Sequence, residues 1–334
     1  MPSSATLATW LRASIQEADF PEQGRFPSGH FRRLGHGVLA LIPEQAAPEA
    51  RACVLSVGIH GNETAPMELL EGLLARLDRG ELRLGAPVLL LLGSPAATRR
   101  GVRYVGTNLN RLFRRDLDER GMEPDRAREL MAAVDAFFSR HATLPRLHYD
   151  LHTAIRDSRY PRFAVSPFTE RTAVEPAQWQ WLAAADIQAV LHQHRHSWTF
   201  SHYSKHYHGA QAFTLELGSA RPFGENDLAP LAPMGTLLTA LLEGRRPAEA
   251  APERMAFFRV EQELMRKSET FRLAFPEATA NFTEFPPGTL LAEDGRAGDT
   301  RVGAMPLAVV FPNAHVEVGA RAALLVQPEP PPAE

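Results

Sequence analysis

The stretch "RACVLSVGIHGNETAPMELLEGLL", residues 51–74, decides the fold. Its "CVLSVGI" part, residues 53–59, is a continuous apolar run, the mark of a strand covered on both faces. From residue 65 to 76, apolar side chains recur at Met67, Leu70, Leu73 and Leu74, with Glu68 and Glu71 between them, which is helical spacing. "PVLLLLG", residues 87–93, reads as the next buried strand. Strand, helix, strand implies a right-handed parallel crossover. Between the first strand and the helix stands His60-Gly61-Asn62-Glu63. Open α/β sheets keep their chemistry at strand ends that face a cleft, and Gly61 permits a tight turn there. His60 and Glu63 can therefore point at one spot. The alternative is local structure, with Asn62 or Glu63 serving as a helix cap or first-turn acid.

Outward from this unit the alternation continues. "GVLALIP" (37–43) is a short strand, 124–140 an amphipathic helix with Pro124 at its start, and "LHYDLHT" (147–153) a strand. "RFAVSP" (162–167), "IQAVLH" (187–192) and "AQAFTLELG" (210–218) are further strands, with a helix over 179–185 and another over 226–243. The Pro/Ala/Glu-rich "EGRRPAEAAPE" (243–253) reads as a linker. Beyond it come short strands between Gly/Pro turns: "FFRVEQEL", "FRLAF", "FPPGTLLAEDG", "PLAVVFPN" and "ARAALLVQ". The expected architecture is an α/β domain over 1–248, built on a mostly parallel mixed sheet flanked by helices. A smaller β-rich domain over 249–328 follows it, and 329–334 is a disordered Pro-rich tail.

At 334 residues the chain is long enough for one large α/β domain or two domains. A net charge of −3 without a basic stripe argues against a nucleic-acid binder. Only Lys205 and Lys267 are lysines, so nearly all basic residues are arginine. Arginine pairs with carboxylates bidentately and suits an acidic substrate; a GC-rich genome explains the same bias. Cys53 is the single cysteine and sits in an apolar strand, which excludes a disulfide framework and fits a reducing compartment. Residues 1–20 carry charge and lack the long apolar segment of a signal peptide. No run approaches the ~20 apolar residues of a membrane-spanning helix. The expectation is a soluble cytoplasmic protein with no membrane or nucleic-acid partner; oligomeric state is not legible.

"DLHT", residues 150–153, places Asp150 and His152 on one face of a strand. Such side chains rarely occupy a buried strand face without a task, although a core histidine bonded to aspartate is the plainer reading. With His60 and Glu63, His152 completes a His2Glu set, three protein ligands that leave a zinc ion one open position. Two residues of strand rise separate Asp150 and His152 by ~7 Å, so Asp150 is assigned to orient a different ligand, His60. Glu216 lies in "FTLELG" between Leu215 and Leu217. A buried carboxylate without a partner is costly, so Glu216 either pairs with an arginine or acts as a general base. "GVRYVGTNLNRLFRR" (101–115) reads as a polar loop suited to carboxylate recognition or as ordinary solvated surface. The histidine-rich "HQHRHSWTFSHYSKHYHG" (192–209) is discounted as a second metal tract, because nothing in it supplies the spacing of a closed site.

Five segments, "GIHGNETAPMELL", "RYVGTNLNRLF", "DLHTAIR", "FTLELGSARPFGEND" and "NFTEFPPGTLLAEDG", together resemble the succinylglutamate desuccinylases. These form a branch of the zinc carboxypeptidase-like superfamily that also holds aspartoacylase. The likeness runs in order from about residue 56 to about residue 322 and includes "VFPNAHVEVGARAAL". The resemblance implies one Zn2+ per chain on His60, Glu63 and His152, with Glu216 as catalytic base. It implies Arg103 as the carbonyl-polarising group, and Asn110 and Arg111 as substrate-carboxylate binders. It further implies hydrolysis of N-succinyl-L-glutamate to succinate and L-glutamate, the last step of arginine breakdown by the succinyltransferase route. That substrate carries three carboxylates, which suits a cleft holding Arg103, Arg111 and Arg156. Asn108 departs from the pattern, where relatives often carry Asp. The rival readings are an aspartoacylase-like deacylase of another N-acyl amino acid, a metallocarboxypeptidase, and a binding module that has lost activity. Glu216 speaks against the last, since a pure binder has no need of a base.

Overall fold

The computed structural model describes residues 6–331. Its strands are β1 (Gln23–Phe26), β2 (Gly29–Gly35), β3 (Val38–Pro43), β4 (Ala52–Val57), β5 (Val88–Leu92), β6 (Arg146–Ala154), β7 (Arg162–Ser166), β8 (Ala189–His192) and β9 (Gln211–Ser219). After them come β10 (Ala256–Met265), β11 (Arg272–Leu273), β12 (Thr283–Phe285), β13 (Leu290–Glu293), β14 (Thr300–Arg301), β15 (Leu307–Val310) and β16 (Arg321–Glu329). The helices are α1 (Trp10–Gln16), α2 (Ala65–Asp78), α3 (Pro95–Arg100), α4 (Met122–Arg140), α5 (Pro176–Ala184), α6 (Phe200–His208) and α7 (Ala232–Leu242).

Every residue of β4 and β5 is buried, as their unbroken apolar runs require of strands covered on both sides. Alternate residues of β4 point to opposite cores. Cys53, Leu55 and Val57 pack with the apolar stripes of α1, α2, α5 and α7. Ala52 and Val54 pack with α4 and α6. Burial pushes the Cys53 thiol up to about 12, so it is an inert core group. On α2, Met67, Leu70, Leu73, Leu74 and Leu77 are all buried, each stabilising the fold by roughly 1.5–3 kcal/mol.

One sheet of 13 strands runs in the order β1-β2-β3-β5-β4-β6-β9-β7-β8-β10-β16-β15-β12. Its centre is parallel: β5, β4, β6 and β9 pair in parallel with one another, as do β7, β8 and β10. β7 meets β9 antiparallel, and both flanks of the sheet are antiparallel. The fold is thus a large mixed sheet flanked by helices, with a smaller β-rich C-terminal domain. The C-terminal strands join the sheet edge through β8 and β10, where Phe163, Leu191, Phe258 and Leu324 share a core. A separate sheet of β11, β13 and β14 closes the far end.

Several expectations are corrected. The helix read over 226–243 is α only from Ala232; residues 229–231 form a 3-10 turn. Pro230 and Pro233 lack N–H groups and crowd the turn before them, so the α-helix cannot run back past its first turn, where Pro233 is tolerated. The antiparallel pair β1–β2 and helix α6, inside the histidine-rich stretch, were not anticipated. The tail expected over 329–334 overlaps β16 at Glu329, and residues 332–334 lie outside the described residues. No helix among the described residues is long and apolar enough to cross a membrane.

Candidate active site

The parallel strands β4, β6 and β9 end side by side, and the chemistry-bearing residues gather at those ends. The turn after β4 is made by Gly58, which has φ +65. Gly61 has a different task from the tight turn expected of it. A Cβ there would lie 2.2 Å from the backbone of Ala97 and Thr98, so only glycine lets α3 approach the loop. Thr64, the N-cap residue of α2, and Glu68, in its first turn, hold residues 221–226 in place. Thr64 Oγ1 donates to the Arg221 carbonyl at 2.6 Å, and Glu68 accepts from Gly224 N–H and Asn226 Nδ2.

His60, Glu63 and His152 come together, all buried, with ligand atoms within 4.8 Å of one another. Glu63 Oε1 stands 2.9 Å from His60 Nδ1, and Oε2 stands 2.8 Å from His152 Nδ1. Arg103 Nη1 donates to Oε1 at 2.8 Å, and the Thr153 backbone N–H donates to Oε2 at 3.1 Å. Burial would raise the Glu63 pKa, but His60 and His152 outweigh it and hold the carboxylate well below its usual range. Burial likewise opposes charge on His152, yet Asp150 and Glu63 raise its pKa well above the ordinary imidazole value. His60 is pushed down to about 4 by burial and by Arg103, against the pull of Glu63. Two imidazole Nδ1 atoms and a carboxylate facing one point are the donor set and number that zinc takes in an open catalytic site. The residues present fit that ion.

Asp150 orients His152, not His60 as the sequence reading assigned it. Its Oδ2 accepts from His152 Nε2 at 2.9 Å. The strand rise separates the two backbones, but the side chains lean toward each other along the shared face. Asp150 Oδ1 accepts from Ser56 Oγ at 2.6 Å, and Ser56 Oγ contacts His148 Nε2 at 2.8 Å. His148 Nδ1 reaches Ser204 Oγ at 2.7 Å on α6. His60 finds its outer partner at Asn108, whose Oδ1 accepts from His60 Nε2 at 3.0 Å and from Asn110 N–H at 3.0 Å. Asn108 thereby fixes the His60 ring.

Glu216 sits opposite His152 on the neighbouring strand β9. It is buried and its Oε2 has no hydrogen-bond partner. Burial, reinforced by Glu63 and Asp150 and opposed by His152 and Arg103, raises its pKa to about 7. A carboxyl poised there can accept and return a proton near neutral pH.

A cavity of about 310 Å³ opens over these groups. Its lining includes His60, Arg103, Asn108, Asn110, Arg111, His152, Arg156 and Glu216. Asn110 Oδ1 is committed to the Phe200 N–H at 2.9 Å, which leaves its Nδ2 for the cavity. Arg111 is open to the cavity yet ringed by protein; that desolvation, then Arg321 and Arg103, lowers its pKa from the ordinary value. Sequence reasoning missed Arg321, which β16 of the C-terminal domain sends into the same cavity beside Asn281 and Asn313. Its position inside "VGARAALL" offered no local signal, since only the folding of β16 against β10 brings it to the site.

Comparison with known proteins agrees with this architecture. Residues 49–242 match the family model of the succinylglutamate desuccinylase/aspartoacylase catalytic domain. Residues 253–329 match the AstE/AspA barrel-sandwich hybrid domain. The succinylglutamate desuccinylase of Pseudomonas paraeruginosa is 46% identical over 300 residues, covering 88% of this chain and 90% of the relative. That of Ectopseudomonas mendocina is 43% identical over 309 residues, covering 91% of each. The crystal structure of succinylglutamate desuccinylase from Vibrio cholerae superposes with a TM-score of 0.89 at 34% identity, covering 98% of this chain and 96% of that one. Two matched family models along the chain, and relatives similar over nearly its whole length, show that the chain belongs to the succinylglutamate desuccinylase/aspartoacylase family.

Proposed function

We propose that this chain is a zinc-dependent hydrolase that cleaves N-succinyl-L-glutamate to succinate and L-glutamate. In that role it would close arginine breakdown by the succinyltransferase route. The observation that carries the reading is the meeting of His60, Glu63 and His152 beside the partnerless oxygen of Glu216, in a cavity edged by four arginines. Relatives named succinylglutamate desuccinylase support the choice of substrate.

His60, Glu63 and His152 would hold one zinc ion, which supplies Lewis acidity to water and to the scissile carbonyl. Asp150 and Asn108 fix the two imidazoles so that each Nδ1 lone pair is presented inward. Glu216 accepts the proton of the attacking water and passes it to the departing amide nitrogen. Arg103 keeps Nη1 on Glu63 and offers its remaining N–H groups to the oxyanion that develops at the carbonyl. Arg111, Arg156 and Arg321 then match the three substrate carboxylates, with Asn110 Nδ2 as an uncharged donor. The direct test is hydrolysis of a panel of N-acyl amino acids and C-terminal peptides by the zinc-loaded protein. N-succinylglutamate should be preferred; an N-acetylated amino acid or a peptide cleaved faster would replace this reading with an aspartoacylase-like or carboxypeptidase one.

A further inference from the structure

Three of the six histidines between 192 and 208 converge, although the stretch offered no spacing that suggested it. His202 and His206 lie one turn apart on α6, and their rings stack at 5.3 Å with an interplanar angle of 17°. His196 comes from the coil before the helix and meets both rings, at 5.0 Å and 4.9 Å between centroids. Each of the three offers a nitrogen within 4.8 Å of the others. His196 Nδ1 and His202 Nε2 are already 2.9 Å apart. His202 is fully buried and its Nδ1 has no hydrogen-bond partner, while His206 is half-buried and His196 stands at the rim. Trp198 stacks on His196 at 5.3 Å, and Phe168 meets the same ring edge-on at 5.5 Å.

We propose that His196, His202 and His206 form a second metal site, separate from the catalytic one, that takes a divalent transition ion such as Zn2+ through three imidazole nitrogens and leaves a fourth position to water. The donor set is one that zinc, copper and nickel accept and that magnesium and calcium do not. Lys205, Arg171 and Arg115 put positive charge around the cluster, and Glu170 is the carboxylate that faces it. The site is therefore weaker than an all-thiolate one. Its structural consequence is specific. The ion would tie the coil at 193–199 to α6, and Ser197 and Thr199 of that coil line the substrate cavity. Thr199 also caps α6, and the next residue, Phe200, holds Asn110 through its N–H. The second ion would brace one wall of the cavity without touching the reacting atoms.

The test is metal stoichiometry on tag-free, full-length protein, stripped by chelator and dialysed against low-micromolar free Zn2+. Wild type should hold two equivalents, His206→Ala one, His152→Ala one, and the double variant none. His206→Ala should keep the far-ultraviolet circular dichroism of wild type, which shows that it is folded. Added Zn2+ should raise the Tm of His152→Ala and not that of the double variant. If His206→Ala fails to fold, His196→Ala, on the half-buried coil, carries the same measurement. Wild type with one equivalent, or His206→Ala and His196→Ala that both match wild type, would overturn the proposal. A His152→Ala variant that kept two equivalents would instead overturn the catalytic ligand assignment and leave this second site standing.

Discussion

His152 Nδ1 stands 2.8 Å from Oε2 of Glu63, although 89 residues separate the two in the chain. Parallel pairing of β4 with β6 produces this meeting, by setting Ser56 beside Asp150 and so aligning the two strand ends. The carboxylate bridges both imidazoles, and removing any one of the three leaves the others buried without their partner. His152→Ala should therefore lose the catalytic zinc equivalent and nearly all activity while the sheet survives. Metal analysis alongside circular dichroism checks this, and an active, fully loaded variant would show the ligand set to be wrong.

Asp150 acts on zinc through His152. Asp150→Asn keeps the size but no longer demands a proton on Nε2, so the ring can turn its lone pair the wrong way. Loss of such an outer partner typically weakens metal binding ~10–100-fold. Competition with a chelator of known affinity measures the change; unchanged affinity would mean that the β6 backbone alone orients the ring.

Glu216→Gln keeps the shape but cannot accept a proton. Loss of a general base costs ~10²–10⁴-fold in rate, and the same group is assigned the return of the proton, so the upper end is expected. Zinc content should hold and KM should move little. A loaded variant with near-normal kcat would reduce Glu216 to a structural carboxylate.

Arg321→Ala tests whether the C-terminal domain reads the substrate. Loss of one charge-assisted contact is worth roughly 1.5–3 kcal/mol, about 10- to 150-fold in kcat/KM. The loss should fall mostly on KM. If Arg321 meets the succinyl carboxylate, the preference for N-succinylglutamate over N-acetylglutamate should shrink by a similar factor. An unaltered preference would assign that carboxylate to Arg111 or Arg156.

Acid should destabilise the fold from within the core. Burial lowers the His148 pKa to about 4, from an ordinary value of 6.5. Between those values the unfolded chain takes up a proton that the folded chain refuses, so stability falls as pH drops from about 6.5 to about 4. Melting curves across that range should show the loss, and His148→Gln should flatten it. A slope unchanged by the substitution would place the acid sensitivity at other buried histidines.

Much of this was legible in the chain itself. The unbroken apolar runs that became β4 and β5 could only be strands covered on both faces, and the spacing of Met67, Leu70, Leu73 and Leu74 could only be satisfied by a helix on that sheet. His60, Glu63, His152 and Glu216 stood out because polar groups at the ends of such strands, or inside them, conflict with their surroundings unless they have work to do. These are local signals, written in the periodicity and neighbours of each residue. Four matters depended on distance and direction in three dimensions. Asp150 serves His152 because side chains two apart on a strand lean together, which rise per residue does not reveal. Asn108 reaches His60 only through the path of its loop. Arg321 enters the cavity because β16 pairs with β10 across the sheet edge. His196, His202 and His206 converge because one turn of α6 and a bend at Trp198 superimpose three rings whose sequence spacing is irregular. Sequence determines which side chains are out of place in a core; only the folded backbone decides which of them meet.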